Sequence, residues 1–139
     1  MNPTTLQEYQ DVYGELVQGI REISFSEDQI QQKVAEMGLR ISRDYAGKRP
    51  LLIGVLKGVL FFMADLLRAI TIPIEVDFMA VSNYSPEARD KGLVRVVKDL
   101  EIPIVGRDII FIEDVIDTGL TLNYLLNNLR MRQPASLEV

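Results

Sequence analysis

The chain has no cysteine and no histidine in its 139 residues. Without cysteine there is neither a disulfide framework nor a thiol nucleophile. Without histidine the commonest general base and the commonest zinc ligand are both gone. Proton transfer must then use a carboxylate, Lys, Tyr or water. Positive charge is also short. Fifteen Lys and Arg against twenty Asp and Glu give a net charge of −5. That balance argues against broad binding to nucleic acid or an anionic membrane, which needs a basic face. It leaves room for a small basic pocket around a phosphorylated ligand. Long apolar runs are missing as well. The longest, Val59 to Ala64, is far too short to cross a membrane. The acidic, polar N-terminus does not read as a secretory signal, so cytoplasm is the expected compartment. The length fits one domain with a sizeable core. An apolar content of 47% and a charged content of 25% are ordinary for a globular chain.

Residues 1–19 read as an N-terminal extension and 20–139 as the core. The extension carries Leu6, Tyr9, Val12, Tyr13, Leu16 and Val17 at scattered positions, a pattern for an amphipathic helix with Gly14 counting against it. Ile20 to Phe25 alternates apolar and polar residues, the pattern of a short strand. Ser26 and Gln29 form a capping box. Ile30, Val34, Met37, Ile41 and Tyr45 then recur at helical spacing and predict a helix that ends near Gly47. Leu51 to Leu56 is a continuous apolar run after Pro50, as expected for a parallel strand buried on both faces. A helix follows from Val59 to Ile70, then a strand from Ile72 to Val81 in which Glu75 and Asp77 interrupt the apolar pattern. Residues 82–92 contain Pro and Gly without periodicity, as binding loops and lids do. Strands are expected at Leu93–Val97, Ile109–Ile112 and from Ala135, with a helix at Leu120–Arg130. Strands alternating with helices predict an α/β fold with a mostly parallel sheet.

The most informative stretch is Ile109-Ile-Phe-Ile-Glu113-Asp114-Val-Ile116-Asp117-Thr118-Gly119-Leu120-Thr121. An apolar strand delivers Glu113 and Asp114 at its carboxyl end, where open α/β sheets bind ligands. Asp117 and a hydroxyl-rich turn lead into a helix. Free N–H groups and the positive dipole end at a helix start suit a phosphate. Carboxylates beside a phosphate would repel it unless a cation lies between them, and hard oxygen ligands with a phosphate favour Mg²⁺. Walker-B strands and phosphoryl-accepting receiver domains also end in acidic residues. A Walker-B reading needs Gly-x-x-x-x-Gly-Lys-[Ser/Thr] elsewhere, and Gly54-Val-Leu-Lys57-Gly58 lacks that spacing and its final hydroxyl. The plainer reading is a βα turn in which Asp117 or Thr118 caps the helix.

The string resembles the phosphoribosyl pyrophosphate (PRPP) signature of type I phosphoribosyltransferases, most of all the hypoxanthine and hypoxanthine-guanine members. Gly54 to Gly58 followed by Phe61 to Leu66 is similar to the family's pyrophosphate loop and the helix after it. Val76 to Ser82 is similar to the strand that leads to its active-site lid, and Val94 to Leu100 to the strand that returns. The likeness covers roughly residues 20–139. It implies a type I phosphoribosyltransferase-like sheet flanked by helices, with an antiparallel lid hairpin.

The implied chemistry is displacement of pyrophosphate from ribose C1 by a purine nitrogen, with Mg²⁺ as cofactor and PRPP and a 6-oxopurine as substrates. By resemblance, Glu113 and Asp114 contact the ribose hydroxyls and Mg²⁺. Asp117 faces the purine as general base. Thr118, Gly119, Leu120 and Thr121 hold the 5′-phosphate, and Ile116 packs on base or ribose. Leu56, Lys57 and Gly58 form the pyrophosphate loop, where the bond before the Lys can be cis. Ser82, Asn83 and Tyr84 open the lid, with Asn83 where the family commonly has Ser before the Tyr. Arg89 and Lys91 read as ordinary lid charges. A homo-oligomer, dimer or tetramer, is also implied.

The family continues past the strand that begins at Ser136. The continuation carries a Lys near purine O6, an aromatic that stacks on the base, and the hood that selects the purine. The resemblance therefore implies a native product that extends beyond Val139, and a chain here with PRPP determinants but no hood. Two alternatives stand beside the enzyme: a PRPP- or nucleotide-binding regulatory module, and an inactive fragment of such an enzyme. The acidic balance weighs against a regulator that binds RNA.

Overall fold

The computed structural model describes residues 5–82 and 95–139. Helix α1 spans Leu6–Tyr13, followed by a 3-10 turn at Gly14–Val17. Gly14, at φ +56°, ends α1, so the residue that counted against a longer helix is where it stops. Ser26 accepts from the Gln29 N–H and the Gln29 side chain returns to the Ser26 N–H. That capping box opens α2, Glu27–Asp44. Next come β1 (Leu51–Leu56), α3 (Leu60–Ala69), β2 (Glu75–Ser82), β3 (Arg95–Lys98), β4 (Asp108–Ile112), α4 (Leu120–Arg130) and β5 (Ser136–Glu138).

The strand expected at Ile20–Phe25 does not form. Alternation makes a strand only where a neighbour pairs with it, and here Ile20 and Phe25 stay 45% and 69% exposed. The strand expected from Ile72 begins only at Glu75. Pro73 has no N–H to give a ladder, and the pairing with β1 begins at Leu51↔Glu75. Leu93 and Val94 lie outside the described residues, and β3 continues the predicted return strand to Lys98.

The sheet order is β3-β2-β1-β4-β5. All pairings are parallel except β2 with β3, which is the antiparallel excursion expected of the hairpin. Both faces of the central strands are covered. Leu51, Ile53, Ile109 and Phe111 pack with Leu125, Leu126 and Leu129 of α4. The alternate residues Leu52, Ile110 and Ile112 pack with Val34 of α2 and with Met63 and Leu66 of α3. This double burial is why β1 and β4 read as unbroken apolar runs. Full burial of one such side chain contributes roughly 1.5–3 kcal/mol, and a one-residue slip would swap the faces, so register is strongly specified.

Asp77 interrupts the apolar pattern of β2 because it ties the sheet to the chain beyond β3. Its carboxylate is buried and accepts from the N–H groups of Phe78 at 2.7 Å, Glu101 at 2.7 Å and Ile102 at 2.9 Å. The Lys98 ammonium lies 3.6 Å away and donates to the Phe78 carbonyl at 2.9 Å. A second tie is Arg132, just past α4, which grips Asp99 through two 2.8 Å hydrogen bonds.

Burial pushes the Asp77 carboxyl up, but the N–H groups of Ile102, Phe78 and Glu101 and the charge of Lys98 outweigh it and hold the carboxyl below its ordinary value. A lowered folded value stabilises the protein above about pH 4, and that contribution is lost as pH falls through the lowered value. Asp77→Ala strips three part-buried N–H donors of their acceptor and is expected to cost roughly 3 kcal/mol at neutral pH. Asp77→Asn removes this titration, and its denaturation midpoint should fall less steeply than that of the wild type below about pH 4. Parallel acid profiles of the two would contradict the role.

Candidate active site

β1 and β4 are adjacent and parallel, with Leu51↔Ile109 through Gly54↔Ile112 in register. The chain leaves β1 toward β2 on one side, while β4 and β5 lie on the other. The carboxyl ends of β1 and β4 therefore flank a topological switch point, where open α/β sheets form their ligand crevice. A cleft of about 680 Å³ opens there. Ten of the eleven residues assigned to the phosphate and ribose site line it: Leu56, Gly58, Glu113, Asp114, Ile116, Asp117, Thr118, Gly119, Leu120 and Thr121. Lys57 is exposed at the rim and is not part of the wall. The bond before it, Leu56–Lys57, is cis. Ser82 ends β2 opposite Arg95, away from the cleft wall. Asn83, Tyr84, Arg89 and Lys91 lie outside the described residues.

Two loops converge on the acidic pair. A β-carbon built on Gly58 would lie 3.7 Å from one Asp114 carboxylate oxygen and 3.8 Å from the other. The loop after β1 and the end of β4 are thus in van der Waals reach. The third wall is the start of α4. Its N-cap is Gly119 in the left-handed conformation, φ +76°, and no side chain caps the helix. Neither Asp117 nor Thr118 fills the capping role; Thr118 Oγ only accepts from the Leu120 N–H at a long 3.4 Å. The first-turn N–H groups of α4 face a cleft that suits an anion. Gly119 is the position where a glycine is required, because a side chain there strains the backbone.

The wall also includes Val55, Val59, Val115 and Leu122, which the residue pattern did not single out. Val115 and Ile116 are 72% and 58% exposed, an apolar lip beside three carboxylates. A second cavity of about 470 Å³ lies between α2 and the β4–β5 edge and shares Glu113 with the first. It contains none of the phosphate loop.

Burial raises the Glu113 carboxyl above its ordinary value, and the Asp114 charge and a hydrogen bond that the protonated Glu113 donates to the Asp114 carboxylate add to the rise. Two crowded carboxylates of this kind are what a divalent cation relieves. Among the described residues no group of three or more metal-type side chains converges. Mg²⁺ is commonly held by one or two carboxylates, with substrate oxygens and water completing the shell, so the pair fits a metal that arrives with its substrate.

The phosphoribosyl transferase domain family matches residues 26–139. The chain belongs to that family. It is 47% identical over 124 residues to a hypoxanthine-guanine phosphoribosyltransferase of Streptococcus mutans, covering 89% of this chain and 69% of the relative. A hypoxanthine-guanine phosphoribosyltransferase structure from Bacillus anthracis superposes with a TM-score of 0.76 at 41% identity, covering 81% of this chain and 66% of that one. A hypoxanthine phosphoribosyltransferase from Staphylococcus aureus gives a TM-score of 0.79 at 37% identity, with 84% and 64% covered. These similarities put the chain with the hypoxanthine-guanine kind of phosphoribosyltransferase. It spans about two thirds of the length of the relatives it matches.

A raised carboxyl value means the charged form is disfavoured in the fold. The stability linked to Glu113 is present at low pH and is lost as pH rises through the raised value. Glu113→Gln should therefore raise the thermal midpoint of the ligand-free chain at neutral pH, while weakening any Mg²⁺-dependent ligand. A lower midpoint in this variant would contradict the account.

Proposed function

We propose that this family member is a purine-salvage enzyme: hypoxanthine or guanine plus PRPP gives the nucleoside monophosphate and pyrophosphate, with Mg²⁺, in the cytoplasm. The observation that carries the reading is the convergence, in one cleft, of the Leu56–Gly58 loop, the Glu113–Asp114 pair and the uncapped start of α4. A sugar carrying a phosphate at one end and a pyrophosphate at the other needs two anion cradles with a cation-binding pair between them.

In this reading the Thr118–Thr121 turn and the first N–H groups of α4 hold the 5′-phosphate. Gly119 lets the backbone approach it, and the two threonine hydroxyls add donors. Leu56, Lys57 and Gly58 receive the pyrophosphate, with the exposed Lys57 ammonium supplying charge at the rim. Glu113 and Asp114 hold the ribose hydroxyls and a Mg²⁺, which when bound offsets the charge that develops on departing pyrophosphate. Ile116 offers an apolar face to base or ribose. Asp117, exposed and not engaged in capping, takes the proton that the purine nitrogen loses as it bonds to C1. Ser82, Asn83 and Tyr84 belong to the lid that keeps water from the ribosyl centre. A homo-oligomer is part of the same reading, and Phe61, 83% exposed on α3, is apolar surface that a subunit contact would cover. Among the described residues no helix is long and apolar enough to cross a membrane.

The test is Mg²⁺-dependent conversion of hypoxanthine and PRPP to inosine monophosphate by the 139-residue chain, beside Asp117→Asn. The variant is expected to lose roughly 10²–10⁴-fold in turnover, the usual worth of a positioned proton acceptor, with PRPP affinity little changed. Equal turnover would remove Asp117 from the role. PRPP binding without turnover in the wild type would reduce the reading to a PRPP-binding module.

A further inference from the structure

Gly54 sits in the middle of β1, three residues before Lys57, on the face that packs against α3. A β-carbon there would lie 2.8 Å from Val59 Cγ1 and 2.9 Å from Met63 Cε. Val59 and Met63 are each 1% exposed, so neither has open space to enter. Met63 is flexible at its far end and can turn aside. Val59 is β-branched and stiff, and in a close-packed interior it can yield only by moving its backbone.

That backbone is the pyrophosphate-loop candidate. Val59 is the N-cap of α3, directly after Lys57 and Gly58. Its carbonyl accepts from the Met63 N–H at 2.8 Å, and the Lys57 carbonyl accepts from the Leu60 N–H at 3.2 Å. Val59 and Gly58 both line the cleft, and Gly58 stands against Asp114. The contacts form a series: Gly54 under Val59, Val59 joined to Gly58, Gly58 beside Asp114.

We infer that Gly54 is a positioning residue for the anion site. Its missing side chain lets Val59 seat on β1, and that seating sets how far the Lys57–Gly58 loop stands from the acidic pair. Gly54 itself touches no ligand. The inference rests on the PRPP reading above. The plain alternative is that Gly54 serves packing alone, so that enlarging it costs stability without selecting one ligand.

The two are separated by measuring the affinity of the whole chain for two probes with Mg²⁺ present. PRPP spans both halves of the cleft, whereas inosine monophosphate carries the 5′-phosphate but no pyrophosphate. Gly54→Ala should weaken PRPP by at least about ten-fold, that is ~1.4 kcal/mol, and change inosine monophosphate by no more than about two-fold (~0.4 kcal/mol). Adding Val59→Ala, which removes the methyl that the new β-carbon meets, should bring PRPP back to within about three-fold of wild type (~0.7 kcal/mol). If Gly54→Ala does not fold, Val59→Ile crowds the same gap from the other side and carries the same expectation. Equal weakening of both probes, unchanged PRPP affinity in a folded single variant, or a folded double variant that stays weak would each overturn the inference. A wild-type chain that binds no PRPP would instead overturn the reading beneath it, and this inference with it.

Discussion

The parallel pairing of β1 with β4 is the constraint on which the site depends. The two strands run in register from Leu51↔Ile109 to Gly54↔Ile112 and are buried on both faces. They therefore end side by side, and the residues at and just past their ends, Leu56 to Gly58 and Glu113 to Asp114, emerge together at the carboxyl end of the sheet. Nothing in those short stretches could bring them together locally. The apolar runs that precede them do so, because a one-residue slip would exchange the side chains shaped to pack on α4 with those shaped to pack on α2 and α3.

The site built there is electrostatically unbalanced in the free protein. Glu113 is partly buried beside Asp114 and resists ionisation. The start of α4 has no side-chain cap. An excess of carboxylate and an excess of helix N–H stand a few residues apart without neutralising one another. In the proposed reading both are satisfied together by an anion and a cation bound side by side. Elsewhere the chain spends its charges on structure. Asp77 and Lys98 fasten β2 to the segment after β3, and Asp99 and Arg132 join that segment to the end of α4. The contrast between these paired groups and the two at the cleft is what singles the cleft out as the candidate site.

Much of this was legible in the residues. The capping box at Ser26, the apolar runs of β1 and β4 and the helix at Leu120–Arg130 appear where their patterns put them, since each is decided by neighbours in sequence or by burial on both faces. The acidic string was legible as a candidate site because an apolar strand carries its carboxylates to the carboxyl end of the sheet, just before a helix start. Four features were not. The alternation at Ile20–Phe25 met no strand to pair with. The interruption of β2 by Asp77 had no visible partner, because two of its three N–H donors lie more than twenty residues along the chain, at Glu101 and Ile102. The closeness of Gly54 to Val59 left one clue, an isolated glycine inside a strand, which often marks a close approach. Val115 and Leu122 join the wall through the path of the turn, which no pattern specifies.

The most direct test of the central claim is a calorimetric titration of the chain with PRPP, with Mg²⁺ present and with the metal chelated. Binding is expected to weaken by at least about ten-fold (~1.4 kcal/mol) when Mg²⁺ is withdrawn, because the Glu113–Asp114 pair then repels the pyrophosphate. Equal affinity in both conditions, or no binding to a folded chain, would contradict it.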